Sequence, residues 1–223
     1  PTLFRSLALR DLAEKLAVGG VKHIYFTDRG TGSFYRSELD GANRIEVFSR
    51  GTPAMIAIDP VAEKICWTNV PDTTGQWEVL ISNLDGSDIR ILYQESSATR
   101  IPRGISANPS SSSIFWAASA DPEKAVYSQP FASAGTALPL DGTIADTEDI
   151  FYSQALGSIF IADLTGGKLH RMSTDGTLEG SIDVSALGAG TPRNITVDDV
   201  HGFVYWSDDD GTPGDGLDRK SVG

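Results

Sequence analysis

One five-residue pattern, three apolar or aromatic residues followed by a small residue and usually an acid or amide, recurs along the chain. The copies are IYFTD at 24–28, ICWTN at 65–69, IFWAA at 114–118, IFIAD at 159–163 and VYWSD at 204–208. Their starts lie 41, 49, 45 and 45 residues apart. Short β-branched and aromatic runs separated by Gly, Pro, Asn, Asp and Ser are typical of strands. The spacing is that of a propeller blade.

Two further elements accompany the pattern in most periods. An apolar run precedes it at 55–59, 104–108, 149–153 and 194–198, and Pro53, Pro102 and Pro192 introduce three of these runs. Proline there marks the entry of a strand from a loop, and we predict this to be the innermost strand. A third run, at 34–41, 79–86 and 169–176, ends in Asp-Gly, which favours a tight hairpin into a fourth strand.

The two ends of the chain together supply one more period. Residues 217–222 match the third strand, residues 15–18 match an innermost strand, and residues 3–7 lie where a fourth strand belongs. We therefore predict an all-β fold, a five-bladed β-propeller of four-stranded antiparallel blades in one domain spanning 1–223. The N-terminal strand at about 2–9 completes the last blade, formed by about 191–223, so that no sheet edge is left unprotected.

These motifs resemble those of a known family. The IYFTD, ICWTN and VYWSD segments are similar to the YWTD, or lipoprotein-receptor class B, repeat. SELDG at 37–41 and PAMIAID at 53–59 resemble two further segments of that repeat, whereas the middle period has Ala117-Ala118 and no Leu-Asp-Gly. The resemblance implies a receptor-type propeller, extracellular or secreted, that binds a protein partner. Propellers of that family usually have six blades, whereas five are counted here.

Composition excludes several classes of partner. The chain has 18 basic and 30 acidic residues and a formal net charge of -12, the opposite of what phosphate binding requires, so nucleic acid is not expected. No apolar run reaches the roughly 20 residues that cross a bilayer. Cys66 is the single cysteine, which excludes an internal disulfide and a cysteine-rich metal site.

The repeated residues themselves are predicted to be structural. Buried polar groups need partners, so a blade repeats the same bonding to neighbouring backbone, and large rings fill the wedge between blades. The acids concerned are Asp28, Asp163 and Asp208, and the core tryptophans are Trp67, Trp116 and Trp206. The three histidines, His23, His170 and His201, show no ligand spacing and are predicted to be solvated.

Signs of catalysis or of a cofactor are weak. The pairs Glu148-Asp149 and Asp209-Asp210 are adjacent carboxylates without a further constellation, and no nucleophile elbow or phosphate loop is present. The Gly-rich acidic loop 208–216 is the best candidate for calcium, but the twelfth position from Asp208 is Arg219 rather than Glu. No cofactor is therefore predicted, and calcium lacks a full motif.

The candidate binding residues lie at one end of the predicted ring. Aligned innermost strands place Glu14, Ala54, Arg103, Glu148 and Arg193 at one position near the channel mouth. Their charges either pair with each other or bind polar ligand groups. The loops that follow the aromatic pattern add Arg29, Asp72, Trp77 and Asp209. Two alternatives are open for Trp77. Its ring is exposed and stacks on a sugar or anchors a protein partner, or the residue only begins its strand.

These features predict a non-catalytic binding module whose most fitting ligand is a glycan or glycoprotein. Polar loops and inter-blade pockets supply the contacts, and the architecture is similar to that of a five-bladed lectin, the tachylectin. One alternative is an extracellular protein-binding propeller, which an exposed apolar patch would favour. Another is a metal-assisted hydrolase or lactonase that uses the central funnel.

Overall fold

The computed structural model describes residues 14–18, 21–70, 76–95, 101–119, 126–133, 136–138, 144, 146–185, 190–208 and 217–221. These residues form nineteen β-strands in five antiparallel sheets. Within each sheet every strand pairs with the strand that follows it in the chain, so each sheet is a meander. Among the described residues, no helix has the length and apolar character to cross a bilayer.

Four sheets have four strands and the fifth has three. In chain order, the first sheet contains β1 Glu14–Val18, β2 Val21–Asp28, β3 Ser33–Glu38 and β4 Ile45–Ser49; the second β5 Thr52–Asp59, β6 Lys64–Val70, β7 Trp77–Asn83 and β8 Arg90–Glu95; the third β9 Ile101–Asn108, β10 Ser113–Ser119, β11 Val126–Pro130 and β12 Thr136–Leu138; the fourth β13 Thr147–Ser153, β14 Ser158–Asp163, β15 Lys168–Ser173 and β16 Leu178–Asp183; the fifth β17 Pro192–Asp198, β18 Phe203–Asp208 and β19 Leu217–Ser221. The antiparallel meanders predicted from the repeat are confirmed. The predicted closing strand at 2–9 lies outside the described residues.

The Asp-Gly turns between third and fourth strands form as predicted. Gly41 and Gly86 have φ of 83° and 81°, a region that residues with a Cβ rarely adopt. The aspartate before each glycine fixes the turn, since Asp40 Oδ1 accepts the Ala42 N–H at 2.8 Å and Asp85 Oδ1 accepts that of Ser87 at 2.9 Å. Local chemistry thus determines where these hairpins reverse.

Successive sheets pack face to face. Four buried apolar clusters lie between the first and second, second and third, third and fourth, and fourth and fifth sheets. The first strands of successive sheets, β1, β5, β9, β13 and β17, contact each other in that order. This places them innermost, as the sequence predicts, with the later strands of each sheet further out.

The three tryptophans of the repeated strand are core residues, as predicted. Trp67, Trp116 and Trp206 are at most 1% exposed, and each belongs to the cluster between its own sheet and the preceding one. Trp116 of the third sheet also contacts the ring of Tyr93 in β8 of the second sheet, with ring centroids 4.6 Å apart and an interplanar angle of 42°. A large ring at this position therefore joins neighbouring sheets.

The innermost strands approach most closely at Gly104 of β9. A Cβ on Gly104 would lie 2.5 Å from the backbone nitrogen of Ile150 and 2.6 Å from the Cα and Oδ1 of Asp149. These are mostly backbone atoms of β13, which cannot move aside as a flexible side chain would. Glycine is thus required at this position for the inner strands to meet.

We expect Gly104→Ala to lower the free energy of unfolding by about 1–3 kcal/mol, the usual cost of overpacking a tight contact. Gly180→Ala is the matched control, because a Cβ there meets nothing within 4 Å, and it is expected to leave stability nearly unchanged. Urea unfolding of both variants measures the difference. Equal stability of the two variants would show that the close approach of β9 and β13 is wrong.

Candidate functional site

Three of the predicted binding residues, which we call the mouth cluster, converge at one end of the innermost strands. Arg103, Glu148 and Arg193 lie near the starts of β9, β13 and β17, which are neighbouring innermost strands. Arg193 Nη1 lies 3.4 Å from Glu148 Oε1, and Arg103 Nη1 lies 4.0 Å from Glu148 Oε2. The Glu148 side chain is only 14% exposed between them. The pairing that the sequence left open is therefore present, and Glu148 is neutralised from both sides.

A second carboxyl group lies beneath this mouth cluster. Asp149 is 2% exposed, and its Oδ2 accepts the Ile195 N–H of β17 at 3.0 Å. Burial raises the pKa of Asp149 to about 7, although hydrogen bonds from the Ile195 and Ile150 backbone lower it and thus oppose that shift. Asp149 joins two innermost strands rather than facing a ligand.

The other predicted residues do not join this cluster. Trp77 is half-buried and is the first residue of β7, which is the structural alternative of the two given for it. Arg29 is exposed in the turn between β2 and β3. Asp72 and Asp209 lie outside the described residues, as does the side chain of Glu14.

The repeated acids bind backbone, as predicted. Asp28 Oδ1 accepts the Gly30 N–H at 2.9 Å, and Asp163 Oδ1 accepts the Asp146 N–H at 2.8 Å. Asp208 accepts the N–H groups of Gly190 and Thr191 at 3.0 and 2.8 Å. Both carboxylate oxygens of Asp208 are thus used within the fold, at the start of the loop considered for calcium.

In the part of the chain that the structure describes, no group of three His, Cys, Asp or Glu side chains is arranged to hold a metal ion. Residues 209–216 of the acidic loop are outside that part. The described residues therefore supply no metal centre for the predicted hydrolase or lactonase alternative.

One histidine prediction is wrong. His170 was expected to be solvated on an outer strand, but it is 1% exposed. Its Nε2 lies 3.2 Å from Asp163 Oδ2 and its Nδ1 lies 2.7 Å from Ser181 Oγ. The third strand is covered on this face by its neighbours, so a polar ring there needs partners on both nitrogens. His201 is exposed, as predicted.

A cavity lies at the end of the sheets opposite the mouth cluster. It has a volume of about 620 Å³ and opens between the first and second sheets. The lining residues are His23, Tyr25, Arg36, Ala62, Glu63, Asn83, Leu84 and Asp85. The first three come from β2 and β3, whereas the others come from the turn that follows β5 and from the end of β7 with the turn that follows it. We call this the inter-sheet cavity.

Arg36 distinguishes the inter-sheet cavity from the corresponding place in the fourth sheet. Arg36 pairs with Tyr25 across β2 and β3, just as Arg171 pairs with Phe160 across β14 and β15. Arg171 Nε lies 2.7 Å from Glu179 Oε2, whereas no residue in the described part of the chain supplies an acceptor for the Arg36 side chain. Arg36 thus brings to the cavity a guanidinium that has no direct hydrogen bond or ion pair with a described residue.

The remaining lining provides mixed polar chemistry over an aromatic floor. Tyr25 is 2% exposed beneath the opening. Asp85 accepts hydrogen bonds from Ser87, which hold the pKa of its carboxyl below the usual value. Asn83 is fixed by Lys64 and Ser87, which bond its amide oxygen and nitrogen. Donors and ionised acceptors are therefore held around the same space.

Sequence reasoning missed this cavity, although a signal was present. Aligning the third strands by register places Arg36, Ile81, Ser128, Arg171 and Arg219 at one position. Arginine occurs three times at a position that in the second sheet is buried core. Such a residue indicates either an ion pair or a polar cavity between sheets.

Models of known protein families and curated protein sequences give no match to this chain. Solved structures do. A chain from the nidogen–laminin complex superimposes with a TM-score of 0.68 at 18% identity, over 83% of this chain and 67% of that chain. A gluconolactonase from Xanthomonas campestris superimposes with a TM-score of 0.64 at 14% identity, over 83% of this chain and 65% of that chain.

A protein of unknown function from Bacteroides thetaiotaomicron gives a TM-score of 0.62 at 16% identity, over 91% of this chain and 54% of that one. The chain thus spans about two thirds of the length of the first two structures and about half of the third. These similarities support the β-propeller fold. At such identity they carry the fold alone, and the two characterised neighbours differ in what they do.

Proposed function

We propose that this propeller is a binding module and that it binds a carbohydrate in the inter-sheet cavity. The observation that carries the proposal is Arg36, whose guanidinium lines the cavity without an acceptor from the described protein. A partly buried guanidinium gains most from an oxygen-rich ligand, because no described residue accepts its hydrogen bonds. Arg171, at the matching position, already has its partner.

The lining suits a sugar better than an apolar molecule. A volume of about 620 Å³ is within the usual range for small-ligand sites. Each sugar hydroxyl both donates and accepts, and the cavity offers donors in Arg36 and His23 and acceptors in Glu63 and Asp85. The opposite charges around the opening favour polar, uncharged groups over a strongly charged ligand.

We also propose a five-bladed YWTD-type ring. The order of the four inter-sheet clusters and the three strands of the fifth sheet support a ring that residues at about 2–9 complete. An extracellular or secreted location fits both the repeat and a glycan or glycoprotein as ligand.

A glycan array with the purified chain tests the binding proposal, and Arg36→Met is the variant. We expect wild type to bind one family of related sugars and Arg36→Met to bind at least tenfold more weakly, because a hydrogen bond from a charged group typically contributes about 1.5–3 kcal/mol. Arg171→Met is the matched control, since it removes an arginine at the same register position outside the cavity, and its binding is expected to be unchanged.

Loss of binding in both variants would place the sugar elsewhere or indicate a general effect on the fold, which thermal unfolding distinguishes. Equal binding by Arg36→Met and wild type would contradict the cavity as the site. A blank array for wild type would contradict the carbohydrate proposal itself.

A protein partner is the second candidate, and a separate observation favours it. Val61 is 74% exposed and Val200 is 85% exposed, and both lie two residues beyond the end of an innermost strand. Leu156, in the corresponding turn of the fourth sheet, is 38% exposed. Binding of wild type but not of Val61→Asp/Val200→Asp to an array of extracellular proteins would support this candidate over the sugar.

A further inference from the structure

A serine, a histidine and an aspartate form a continuous hydrogen-bonded line across the fourth sheet. Ser181 Oγ lies 2.7 Å from His170 Nδ1, and His170 Nε2 lies 3.2 Å from Asp163 Oδ2. The three residues come from β16, β15 and β14, which are neighbouring strands. This line is distant from the inter-sheet cavity, which the first two sheets form.

Strand register explains why the three side chains meet. His170 is directly opposite Ile161 on one side and Ser181 on the other. Asp163 lies two residues beyond Ile161, and side chains two apart on a strand share a face. All three polar side chains therefore project from the same face of the sheet.

The aspartate is held toward the imidazole. Asp163 is 0% exposed, and its Oδ1 accepts the N–H groups of Asp146 and Gly166 at 2.8 and 3.0 Å. A Cβ on Gly166 would lie 2.0 Å from Asp163 Oδ2, so only glycine leaves room for the carboxylate. Asp163 Oδ2 is thereby directed to His170.

One His170 tautomer satisfies both hydrogen bonds. With the proton on Nε2, the ring donates to Asp163 Oδ2. His170 Nδ1 then has a lone pair and accepts the hydrogen bond of the Ser181 hydroxyl. A hydroxyl bonded to a base that a carboxylate orients is the arrangement that activates serine as a nucleophile.

Ser181 is also accessible. It is exposed, whereas the imidazole beneath it is buried at 1%. β16 is the outermost strand of its sheet, and the N–H groups on its outer side are not used by that sheet.

We propose that Ser181 is the nucleophile of an acyl-transfer centre that acts on small carboxylic esters. The Ser181 oxygen forms a bond to the ester carbonyl carbon while its proton moves to His170 Nδ1, and the ester C–O bond then breaks as the alcohol leaves with that proton. Water next attacks the acyl carbon while His170 Nδ1 takes one of its protons; the bond from the acyl carbon to the Ser181 oxygen then breaks, and His170 returns that proton to the Ser181 oxygen as the acid leaves. Asp163 is a positioning residue that stabilises the imidazolium.

A fluorophosphonate probe tests the nucleophile without requiring knowledge of the natural ester. Its phosphorus forms a bond to the Ser181 oxygen, fluoride leaves, and the serine proton passes to His170. We expect one adduct by intact mass, located on Ser181 by peptide mass, and no such adduct in Ser181→Ala. p-Nitrophenyl acetate is expected to release p-nitrophenol at least 100-fold faster with wild type than with Ser181→Ala, the usual range for general-base assistance.

Ser185→Ala is the matched control. Ser185 is exposed, but its hydroxyl bonds to Asp183 and not to an imidazole. Labelling and ester cleavage are expected to be unchanged in this variant. His170→Gln tests the base, but it alters a buried site. Ser181→Cys and Ser185→Cys therefore provide a second comparison. Iodoacetamide is expected to alkylate the thiol at position 181 faster than the thiol at position 185.

The proposal is overturned if wild type shows no adduct on Ser181, or if Ser181→Ala cleaves the ester as fast as wild type. Equal alkylation of the two introduced thiols contradicts activation by His170. None of these outcomes depends on sugar binding, because the centre and the inter-sheet cavity lie in different sheets.

Discussion

Trp116→Ala is expected to lower the free energy of unfolding by about 3–5 kcal/mol, the usual cost of truncating a fully buried large ring. Trp116 is 0% exposed between the second and third sheets, where it contacts the rings of Tyr127 and Tyr93 at centroid distances of 4.2 and 4.6 Å. The loss removes apolar burial and ring contacts that both sheets share. Against a typical total stability of about 5–15 kcal/mol, this is a large fraction.

Trp77→Ala is the control for this substitution, since it removes the same side chain from a half-buried position at the start of β7. Its cost is expected to be less than half that of Trp116→Ala, because less surface returns to water. Denaturant unfolding of both variants gives the two values. If Trp77→Ala costs as much, the position of the core between sheets is wrong.

Asp149→Asn is expected to gain stability relative to wild type as pH rises from 5 to 8, by about 3 kcal/mol. Burial raises the pKa of Asp149 to about 7, so the folded chain keeps a proton there that the unfolded chain loses near pH 4. Over this interval the folded state binds more protons, and wild-type stability falls as pH increases through 7. The amide introduced by the substitution cannot ionise, and its oxygen can still accept the Ile195 N–H.

The measurement is the difference in unfolding free energy between variant and wild type at several pH values. Asp175→Asn serves as the control, because hydrogen bonds from Ser173 and Thr177 lower the pKa of that exposed carboxyl. Its effect is confined to acid pH, and the difference from wild type is expected to be flat between pH 5 and 8. A flat profile for Asp149→Asn as well would contradict the raised pKa that burial gives this carboxyl.

The repeat predicted the strands because each one is a local pattern. The run at 55–59 lies within β5, which begins at Thr52, and Asp-Gly at 85–86 lies at a hairpin, because propensity and turn chemistry act over a few residues. The aromatic position predicted Trp67 and Trp116 as core for the same reason. A residue at the same position of the repeat has similar surroundings in each sheet, so its burial can be predicted from the repeat.

His170 shows where this reasoning fails. Its burial depends on Asp163, seven residues away, and on Ser181 across another strand, and only the register of β14, β15 and β16 brings them together. The inter-sheet cavity depends in turn on side-chain volumes from two sheets, with Arg36 where the second sheet has Ile81. Neither the buried position of His170 nor the inter-sheet cavity can be predicted from the local sequence pattern of one strand.

The residues of the mouth cluster were identified from sequence, but whether their charges pair with each other was not. Aligning innermost strands correctly brought Arg103, Glu148 and Arg193 together. Whether such charges pair or bind a ligand depends on distances of an ångström or two, which the rotation of neighbouring strands sets. The aligned positions alone could not supply those distances.

The central claim, that a sugar occupies the inter-sheet cavity, is tested most directly by NMR chemical-shift mapping with the best sugar from the array. We predict that the largest shifts occur at His23, Tyr25 and Arg36 and at the facing turn 83–85, with the backbone signals of Arg103 and Arg193 unchanged. Shifts confined to the mouth cluster, or no shifts at a sugar concentration that saturates array binding, would contradict the account.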